Sequence, residues 1–558
     1  MKKKMRKQWL CTLLAVLMIL SMLPIATVTA SAASSDALEM LGATIRYEDA
    51  TGSRTGEKAT GLRFAARIDK TARTYLNAVR EGNYDPTNES VKFGVLILPT
   101  DMMPSDGNLT VETPDVEKAI FDKVYAQTDS ELHFTVSLLG IPAEDFARGF
   151  TARVFMQVTR NGETRYTYSE NTLSRSFVGV GNIFYEDNRA NESLCARIDE
   201  IFANCAEYQG KNIKTITFTL FSDLHYWEGW YIASIADLES ILKRANDSNS
   251  DFVLQAGDFT NDVSGSPELY KTYLENEYGL PAYGVYGNHE MERGDSMATV
   301  TPTLTNDKNV VWGTEDGKIG NGSIGYYYFD YNGFRMICLD TMYSWNPTTE
   351  QWEHNRTGSY SYASGNEKGY SLGPVQLAWL EDVLDDAAEN KLSCVVTSHR
   401  GFAISYSDSP DGEAVRELYK KANEKRAGTV LMSISGHLHT NHTEVIDNVL
   451  HLDMNTVRNG GYKVGGTAHY TNQTFDYTFY DNDGNELGSS TQKIAYLTHA
   501  KDTWFFEDPL SAVVTVSTTG KITVEGSETE WIDGVKPPWT ASGMEPKVDS
   551  GVFELQLY

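Results

Sequence analysis

Cysteine is scarce in this chain, with five residues among 558. Cys11 lies in an N-terminal apolar stretch, and Cys195 and Cys205 fall on one predicted helix, too far apart along its axis to bond each other. Cys338 and Cys394 lie in apolar, strand-like runs and are typical of small core residues. We therefore expect no disulfide framework, and a fold that depends on one is excluded.

Basic residues are also in deficit. The chain has 48 Lys and Arg against 76 Asp and Glu, so its formal net charge is −28. An acidic surface of this kind repels phosphate backbones, which argues against nucleic acid as a partner. After the N-terminal stretch there is no second apolar run long enough to cross a bilayer, so we expect no membrane span in the mature protein.

The N-terminal segment has the three parts of a secretory signal peptide. Basic residues lie within 1–7, an apolar stretch runs from Trp9 to about Ile25, and the small residues Ala30-Ser31-Ala32-Ala33 follow. We interpret residues 1–33 as a Gram-positive-like signal peptide cleaved near Ala32 or Ala33, and we expect a secreted protein. Its removal takes away five basic residues and lowers the net charge to −33. A membrane anchor is the alternative, but the apolar stretch is short for one.

The remaining sequence divides into four predicted regions. Residues 34–188 alternate as strands, with Asn161-Gly162 as a hairpin turn, and predict a β-sandwich accessory domain. This domain is our candidate for contact with a cell-surface glycan. Residues 189–210 predict a connecting helix, residues 211–465 an α/β catalytic domain, and residues 466–558 a β-rich extension.

Five short hydrophobic runs in the third region each end in residues that ligate metals. Such runs are typical of buried strands, and ligands in open α/β sheets bind beyond the carboxyl ends of the strands. We therefore expect the five groups to share one site. The runs and groups are Thr215–Ser222 before Asp223-Leu224-His225, Asp251–Ala256 before Gly257-Asp258, Ala282–Tyr286 before Gly287-Asn288-His289-Glu290, Leu392–Ser398 before His399, and Thr429–Ser435 before Gly436-His437-Leu438-His439.

The ligand types indicate which metals could bind. The set offers carboxylate, imidazole and amide oxygen, a mixture that suits iron, manganese or zinc rather than magnesium or calcium. It is too large for one tetrahedral ion and suits two divalent or trivalent ions that share a carboxylate. Its members are Asp223, His225, Asp258, Asn288, His399, His437 and His439. His133, His354, His442, His469 and His499 lie outside these groups and are predicted to be surface loop residues.

The order of these motifs resembles the calcineurin-like metallophosphoesterase superfamily over roughly residues 215–456. The resemblance implies a layered β-sandwich flanked by helices and the hydrolysis of a small phosphate ester or diester by a metal-bound hydroxide. It also implies that His289 stabilises the transition state and protonates the leaving group, and that Glu290 orients nearby groups. One ion would be held by Asp223, His225, Asp258 and His439, and the other by Asp258, Asn288, His399 and His437.

Departures from the family's branches narrow the expected substrate. Phosphoprotein phosphatases carry an Asp-Arg pair where this chain has Asn261-Asp262, so phosphoprotein substrates are disfavoured and we prefer a phosphodiester to a monoester. Asn261 could hold the Gly-Asp loop or cap a turn, and Arg400 could bind a substrate phosphate or a structural carboxylate. The alternative is a catalytically vestigial surface protein whose β-domain binds polysaccharide or glycan, but an intact ligand set argues against it.

Overall fold

The structure is a computed structural model, and it divides into two units after Ile213. It describes residues 33–47, 60–81, 91–121, 124–226, 233–290, 297–313, 325–346, 350–354, 371–405, 409–461, 474–480, 486–493, 504–531 and 545–557. The predicted signal peptide, apart from Ala33, lies outside these residues. Among the described helices, none has the length and apolarity that crossing a bilayer requires.

Unit one contains two mainly antiparallel sheets that share one core. One sheet has the order β1 (Ala33–Ser35), β9 (Glu163–Ser169), β8 (Gly149–Arg160), β4 (Val91–Pro99) and β5 (Glu117–Ile120), with β10 (Leu173–Ser176) paired to β8. The other has the order β2 (Leu38–Arg46), β3 (Gly61–Asp69), β7 (Glu131–Leu139) and β6 (Ala126–Gln127). Phe64, Phe134 and Val154 are fully buried in this core, an arrangement that is typical of a β-sandwich.

The hairpin between β8 and β9 is the one that the Asn-Gly pair predicts. Arg160 pairs with Glu163, and Asn161 and Gly162 between them have φ of 52° and 85°. Both values lie in the left-handed region that a two-residue hairpin turn requires, which Asn and Gly adopt at low cost.

The described part of unit one also contains the helices α1 (Arg73–Glu81), α2 (Phe177–Asp187) and α3 (Glu192–Ile201). The connecting helix is therefore shorter than the predicted 189–210. Asn191 caps its start by accepting a hydrogen bond from Leu194 N, but it ends at Ile201, and Cys205 lies beyond it. The reason is tertiary packing: Phe202 turns into the sandwich core and its ring stacks on Tyr208 at 5.1 Å.

Unit two contains two larger sheets, which we name the β11 sheet and the β19 sheet. The β11 sheet has the order β13 (Ala282–Gly284), β12 (Phe252–Gln255), β11 (Thr215–Phe221), β27 (Ala512–Ser517), β28 (Lys521–Gly526) and β29 (Gly551–Glu554). The β19 sheet has the order β14 (Val311–Trp312), β15 (Tyr327–Tyr331), β16 (Phe334–Cys338), β19 (Ser393–Thr397), β20 (Val430–Ser435), β22 (Val449–Asp453) and β21 (His442–Ile446). Their aromatic side chains meet, with Tyr283 of β13 stacked on Phe329 of β15 at 3.7 Å.

Helices cover this layered α/β arrangement, as predicted. The helices of unit two are α4 (Ile235–Asp247), α5 (Pro267–Leu274), α6 (Met297–Val300), α7 (Gly373–Glu389) and α8 (Gly412–Lys425). A capping box between Ser234 and Asp237 begins α4, and Pro374 lies in the first turn of α7, where its missing N–H costs nothing. Leu380 of α7 and Tyr419 of α8 are buried against β19 and β20.

Shorter strand pairs complete unit two. They are β17 (Tyr343–Asn346) with β18 (Gln351–His354), β23 (Asn459–Gly461) with β26 (Trp504–Phe505), and β24 (Thr474–Tyr480) with β25 (Glu486–Lys493).

The last strands of the chain belong to the β11 sheet. We predicted a β-rich extension from residue 466, and within it β27 pairs antiparallel with β11, from Thr215 opposite Ser517 to Leu220 opposite Ala512. These residues therefore complete the sheet that carries Asp223. The local pattern shows a strand at 512–517, but it cannot show which strand, almost 300 positions earlier, is its partner.

We expect the thiols of the two cysteines of the β19 sheet to be unreactive towards alkylating reagents in the folded protein. Burial raises the pKa of both Cys338 and Cys394 to about 12, so at pH 8 only about one thiol in ten thousand is ionised. Iodoacetamide at pH 8 should leave both unlabelled, as read by peptide mass spectrometry, and should label both in urea. Labelling in the folded state at the rate of free cysteine would contradict this packing.

Candidate metal centre

The predicted ligands all follow the carboxyl ends of neighbouring parallel strands. In the β11 sheet, β11 pairs parallel with β12 and β12 with β13; in the β19 sheet, β19 pairs parallel with β20. Because parallel neighbours end at the same edge of a sheet, the ligand-bearing loops meet there. We call Asp223, His225, Asp258, Asn288, His399, His437 and His439 together the candidate metal centre. All are buried except His437, which is partly exposed.

The backbone turns sharply where it carries these ligands. Asp223, His225, Asp258, His437 and His439 all have φ between 48° and 68°. Residues other than glycine rarely adopt this left-handed region, and each such residue costs about 1 kcal/mol or more. Strain of this kind persists only where the surrounding structure fixes it, and it is concentrated here on the ligands themselves.

Among the described residues, three groups of side chains could each hold a metal ion, because the donor atoms within each group lie within 4.8 Å of one another. They are Asp223 with His225 and His439, His225 with Asp258 and His289, and Asp258 with His399 and His437. The first and third groups correspond to the two ion positions that the resemblance implies. Asp258 belongs to the third group, and its Oδ2 lies 3.8 Å from His225 Nε2 of the first, which fits a carboxylate shared between two ions.

The spacing between imidazole nitrogens fits coordination to a common ion. His225 Nε2 lies 3.1 Å from His439 Nε2, and His399 Nε2 lies 3.2 Å from His437 Nδ1. Two nitrogens bound at 2.0–2.1 Å to a tetrahedral ion are about 3.3 Å apart. The pairs are therefore already at coordination distance.

One ligand side chain has buried polar atoms that the described residues leave without hydrogen bonds. Both amide atoms of Asn288 are in this state. A buried polar atom without a hydrogen bond costs about 1–3 kcal/mol, so native proteins rarely keep one without a ligand to satisfy it. Together with the donor chemistry, this shows that the residues fit a metal site.

Hydrogen bonds on the far side of two rings select the ligating nitrogen. His225 Nδ1 lies 3.0 Å from Asn261 Oδ1, and His399 Nδ1 lies 2.8 Å from Ala256 O. Both oxygens can only accept, so Nδ1 carries the proton and Nε2 faces the centre in each ring. The structure thus places Asn261 on a ligand histidine, where the sequence left loop holding or turn capping open.

Burial and neighbouring charges shift the pKa values in this centre. Burial, reinforced by His289, lowers the pKa of His225 to about 3, and burial with Arg400 holds the pKa of His437 well below its usual value. Both rings are therefore neutral at pH 7 and can donate a lone pair. Burial also opposes charge on His399, but the Asp258 carboxylate outweighs it and raises the pKa of His399 to about 10.

Asp258 and Glu290 connect the loops around the centre. Asp258 Oδ1 accepts a hydrogen bond from the backbone N–H of His289 at 2.9 Å, and Asp258 Oδ2 lies 3.8 Å from His289 Nε2. Glu290 Oε1 accepts from Phe259 N and its Oε2 from Gly287 N, each at 2.6 Å. Glu290 therefore bridges the loops after β12 and β13. Burial, then the Asp258 charge, raises its pKa to about 7.

Arg400 lies against a ligand of the candidate metal centre. Its guanidinium Nη2 is 2.9 Å from His437 Nε2, and the side chain is buried. The sequence left open whether Arg400 serves a phosphate or a carboxylate. The structure places it within the site, at the end of β19.

Sequence reasoning missed the residues that hold Asp223. Ser222 Oγ donates to Asp223 Oδ2 at 2.5 Å, and Thr456 Oγ1 donates to the carbonyl of Asp223 at 2.8 Å. A Cβ added to Gly436 would lie 1.9 Å from Ser222 Oγ, so only glycine fits there. Ser222 directly precedes the motif and could have been noticed, whereas Thr456 carries no local signal.

Comparison with known proteins gives one family match and several similar structures. Residues 216–441 match the family model for calcineurin-like phosphoesterases. A dimetal phosphatase from Danio rerio is similar in structure, with 15% identity, 57% of this chain and 98% of that chain covered, and a TM-score of 0.34.

Two further solved structures show a similar likeness. GAP50, the anchor in the inner membrane complex of Plasmodium, has 12% identity, coverage of 62% of this chain and 90% of that chain, and a TM-score of 0.30. An archaeal phosphodiesterase has 15% identity, coverage of 50% and 100%, and a TM-score of 0.22. No curated protein matches the chain. Likeness at this distance does not indicate a substrate.

Asp258→Ala should remove most of the metal-binding capacity, because Asp258 Oδ2 lies 3.1 Å from His399 Nε2 and 3.8 Å from His225 Nε2 and so touches both groups. We expect metal affinity to fall by more than about 100-fold, since loss of even an outer partner costs 10–100-fold. Elemental analysis of protein dialysed against manganese or zinc measures this. Asp262→Ala in the same loop is the matched control and should bind metal normally; equal metal content in both variants would contradict the assignment.

Proposed function

We propose that residues 216–441, which match the family model for calcineurin-like phosphoesterases, form a phosphoesterase domain. The protein is in this proposal an exported, metal-dependent phosphoric ester hydrolase with a preference for phosphodiesters over monoesters. The observation that carries the proposal is the convergence of six carboxylate and imidazole side chains from four strand ends, together with an Asn288 amide that is buried and unsatisfied among the described residues. The basic, apolar and small-residue sections of residues 1–33 support export. Asn261-Asp262, in place of a phosphoprotein-type Asp-Arg pair, supports the diester preference.

The metal positions follow from the first and third donor groups, to which the family resemblance adds Asn288. Asp223, His225 and His439 would hold one ion, Asn288, His399 and His437 the other, and Asp258 both. When bound, two such ions supply positive charge that polarises the phosphoryl group and makes water more acidic. Iron, manganese and zinc suit this mixture of imidazole, carboxylate and amide donors.

His289 is the proton donor in this proposal. Its backbone N–H is fixed on Asp258, and its ring meets the His225 ring edge-on, with centroids 4.7 Å apart. The imidazole is therefore held beside the ligands, but it belongs to neither the first nor the third donor group, which would hold the ions. From there it can hydrogen-bond a phosphoryl oxygen and give its proton to the leaving alkoxide.

Glu290, Asn261 and Arg400 keep supporting roles. Glu290 fixes the loops of Asp258 and Asn288 relative to each other, and Asn261 fixes the ring of His225. Arg400 adds a buried positive charge next to His437, where it favours a phosphate group.

The reaction class is tested with chromogenic esters. We expect protein stripped of metal and reloaded with manganese, iron or zinc to hydrolyse bis-p-nitrophenyl phosphate, and p-nitrophenyl phosphate more slowly. Metal-free protein should be inactive. Failure on both esters with every metal would favour the alternative, a vestigial surface protein whose β-domain binds glycan.

His289→Ala separates proton transfer from metal binding. Because His289 is a proton donor in our assignment and not an ion-holding ligand, the variant should retain the metal content of the parent and lose about 100-fold or more in kcat. Elemental analysis and steady-state kinetics give the two readouts. Loss of metal from this variant would instead make His289 a ligand and would refute its proposed role.

A further inference from the structure

A buried histidine–carboxylate pair lies after β16, outside the candidate metal centre. His354 Nε2 is 2.9 Å from Asp340 Oδ2, Asp340 is fully buried, and the His354 side chain is only 6% exposed. No motif in the sequence singles out either residue, and we predicted His354 to be a surface loop residue. That prediction is wrong, because His354 is in β18, which pairs with β17 directly after Asp340.

Strand register places Asp340 level with a ligand of the candidate metal centre. Cys338, the last residue of β16, pairs with Thr397, the last residue of the parallel neighbour β19. Asp340 follows Cys338 by two residues, as His399 follows Thr397. Adjacent strands are about 4.8 Å apart, so the loops that begin at Asp340 and His399 leave the sheet side by side.

The surrounding structure fixes Asp340 closely. Gln376 clamps its backbone, accepting from Asp340 N at 2.9 Å and donating to Asp340 O at 2.7 Å. Met342 N donates to Oδ1 at 2.9 Å, so Oδ2 remains for His354. A Cβ on Gly325 would lie 2.3 Å from Oδ2, so the backbone is packed closely against this carboxylate.

These contacts orient the imidazole of His354 and leave its Nδ1 without a hydrogen bond among the described residues. The His354 ring lies between the rings of Tyr286 and Tyr343, which meet it edge-on at centroid distances of 5.7 and 5.2 Å. A carboxylate only accepts, so in the neutral ring Nε2 carries the proton and Nδ1 has the lone pair. Nδ1 is buried and has no hydrogen-bond partner among the residues that the structure describes.

Tyr286 connects this pair to the motif around Asn288. It immediately precedes Gly287-Asn288-His289, and its ring contacts His354. The pair therefore lies on the Asn288 side of the candidate metal centre.

We propose that His354, positioned by Asp340, contacts the organic group of the substrate and selects esters that carry a hydroxyl or N–H near the phosphate. The inference rests on the proposed phosphoesterase function and narrows its substrate class. Nδ1 is an acceptor, so it recognises a hydrogen-bond donor rather than a phosphate oxygen. A site built around such a donor discriminates strongly against analogues that lack it.

His354→Gln is the diagnostic variant. Its terminal amide can still donate to Asp340 in place of Nε2–H, but it places no acceptor at Nδ1. The donor-bearing probes are glycerol p-nitrophenyl phosphate and thymidine 5′-p-nitrophenyl phosphate; bis-p-nitrophenyl phosphate is the donor-free probe. We expect the parent to prefer the donor-bearing probes, and His354→Gln to lose about tenfold in kcat/KM on them, the worth of one hydrogen bond, with little change on the donor-free probe.

Stability and metal content distinguish contact with the substrate from a structural role. We expect His354→Gln to keep the Tm and metal content of the parent. His451→Gln is the matched control, since it replaces another buried imidazole of unit two and should leave the preference among probes unchanged. Equal losses on all three probes, a fall in Tm or metal content, or a parent without preference would each overturn the role of His354 while leaving the phosphoesterase function intact. A parent inactive on all probes would refute the function itself, and this inference with it.

Discussion

The structure of unit two depends on keeping one carboxylate, Asp258, buried and ionised. A buried carboxylate is tolerated only when it is paired and hydrogen-bonded. Burial opposes its charge, but His399 and then His289 outweigh burial and hold the pKa of Asp258 well below its usual value. Its partners come from β19 and from the loop after β13, so the ends of both sheets must meet at this point. Gly287 leaves the necessary space, since a Cβ there would lie 2.0 Å from Asp258 Oδ1.

Backbone strain at the strand ends is the cost of this arrangement, and hydrogen bonds between loops offset it. Asp223 N donates to Gly257 O at 3.0 Å, and His225 N donates to Asp258 O at 2.9 Å. The two left-handed residues are thereby held on the neighbouring loop. A site fixed in this way is preorganised, because its ligands need little movement to receive a cation or a phosphoryl group. The same few backbone positions therefore determine both how the two sheets meet and where the ligands lie.

Local patterns sufficed to single out the candidate ligands because each lies within a few residues of its own strand. A run such as Thr429–Ser435 predicts a strand, and Gly436-His437-Leu438-His439 at its end predicts a ligand pair. The features that the sequence did not reveal depend on partners distant in the chain. The attachment of β27 to β11, the turn of Phe202 into the sandwich core and the pairing of His354 with Asp340 all depend on tertiary contacts that no local periodicity encodes. The left-handed backbone conformation of His225 could not be predicted from the sequence either, since a histidine residue does not indicate a positive φ.

Anomalous diffraction from crystals of the metal-loaded protein tests the central claim most directly. The account predicts two anomalous peaks between the β11 and β19 sheets, one beside Asp223, His225 and His439 and the other beside Asn288, His399 and His437, with Asp258 contacting both. A single peak remote from Asp258, or metal bound only elsewhere on the chain, would contradict it.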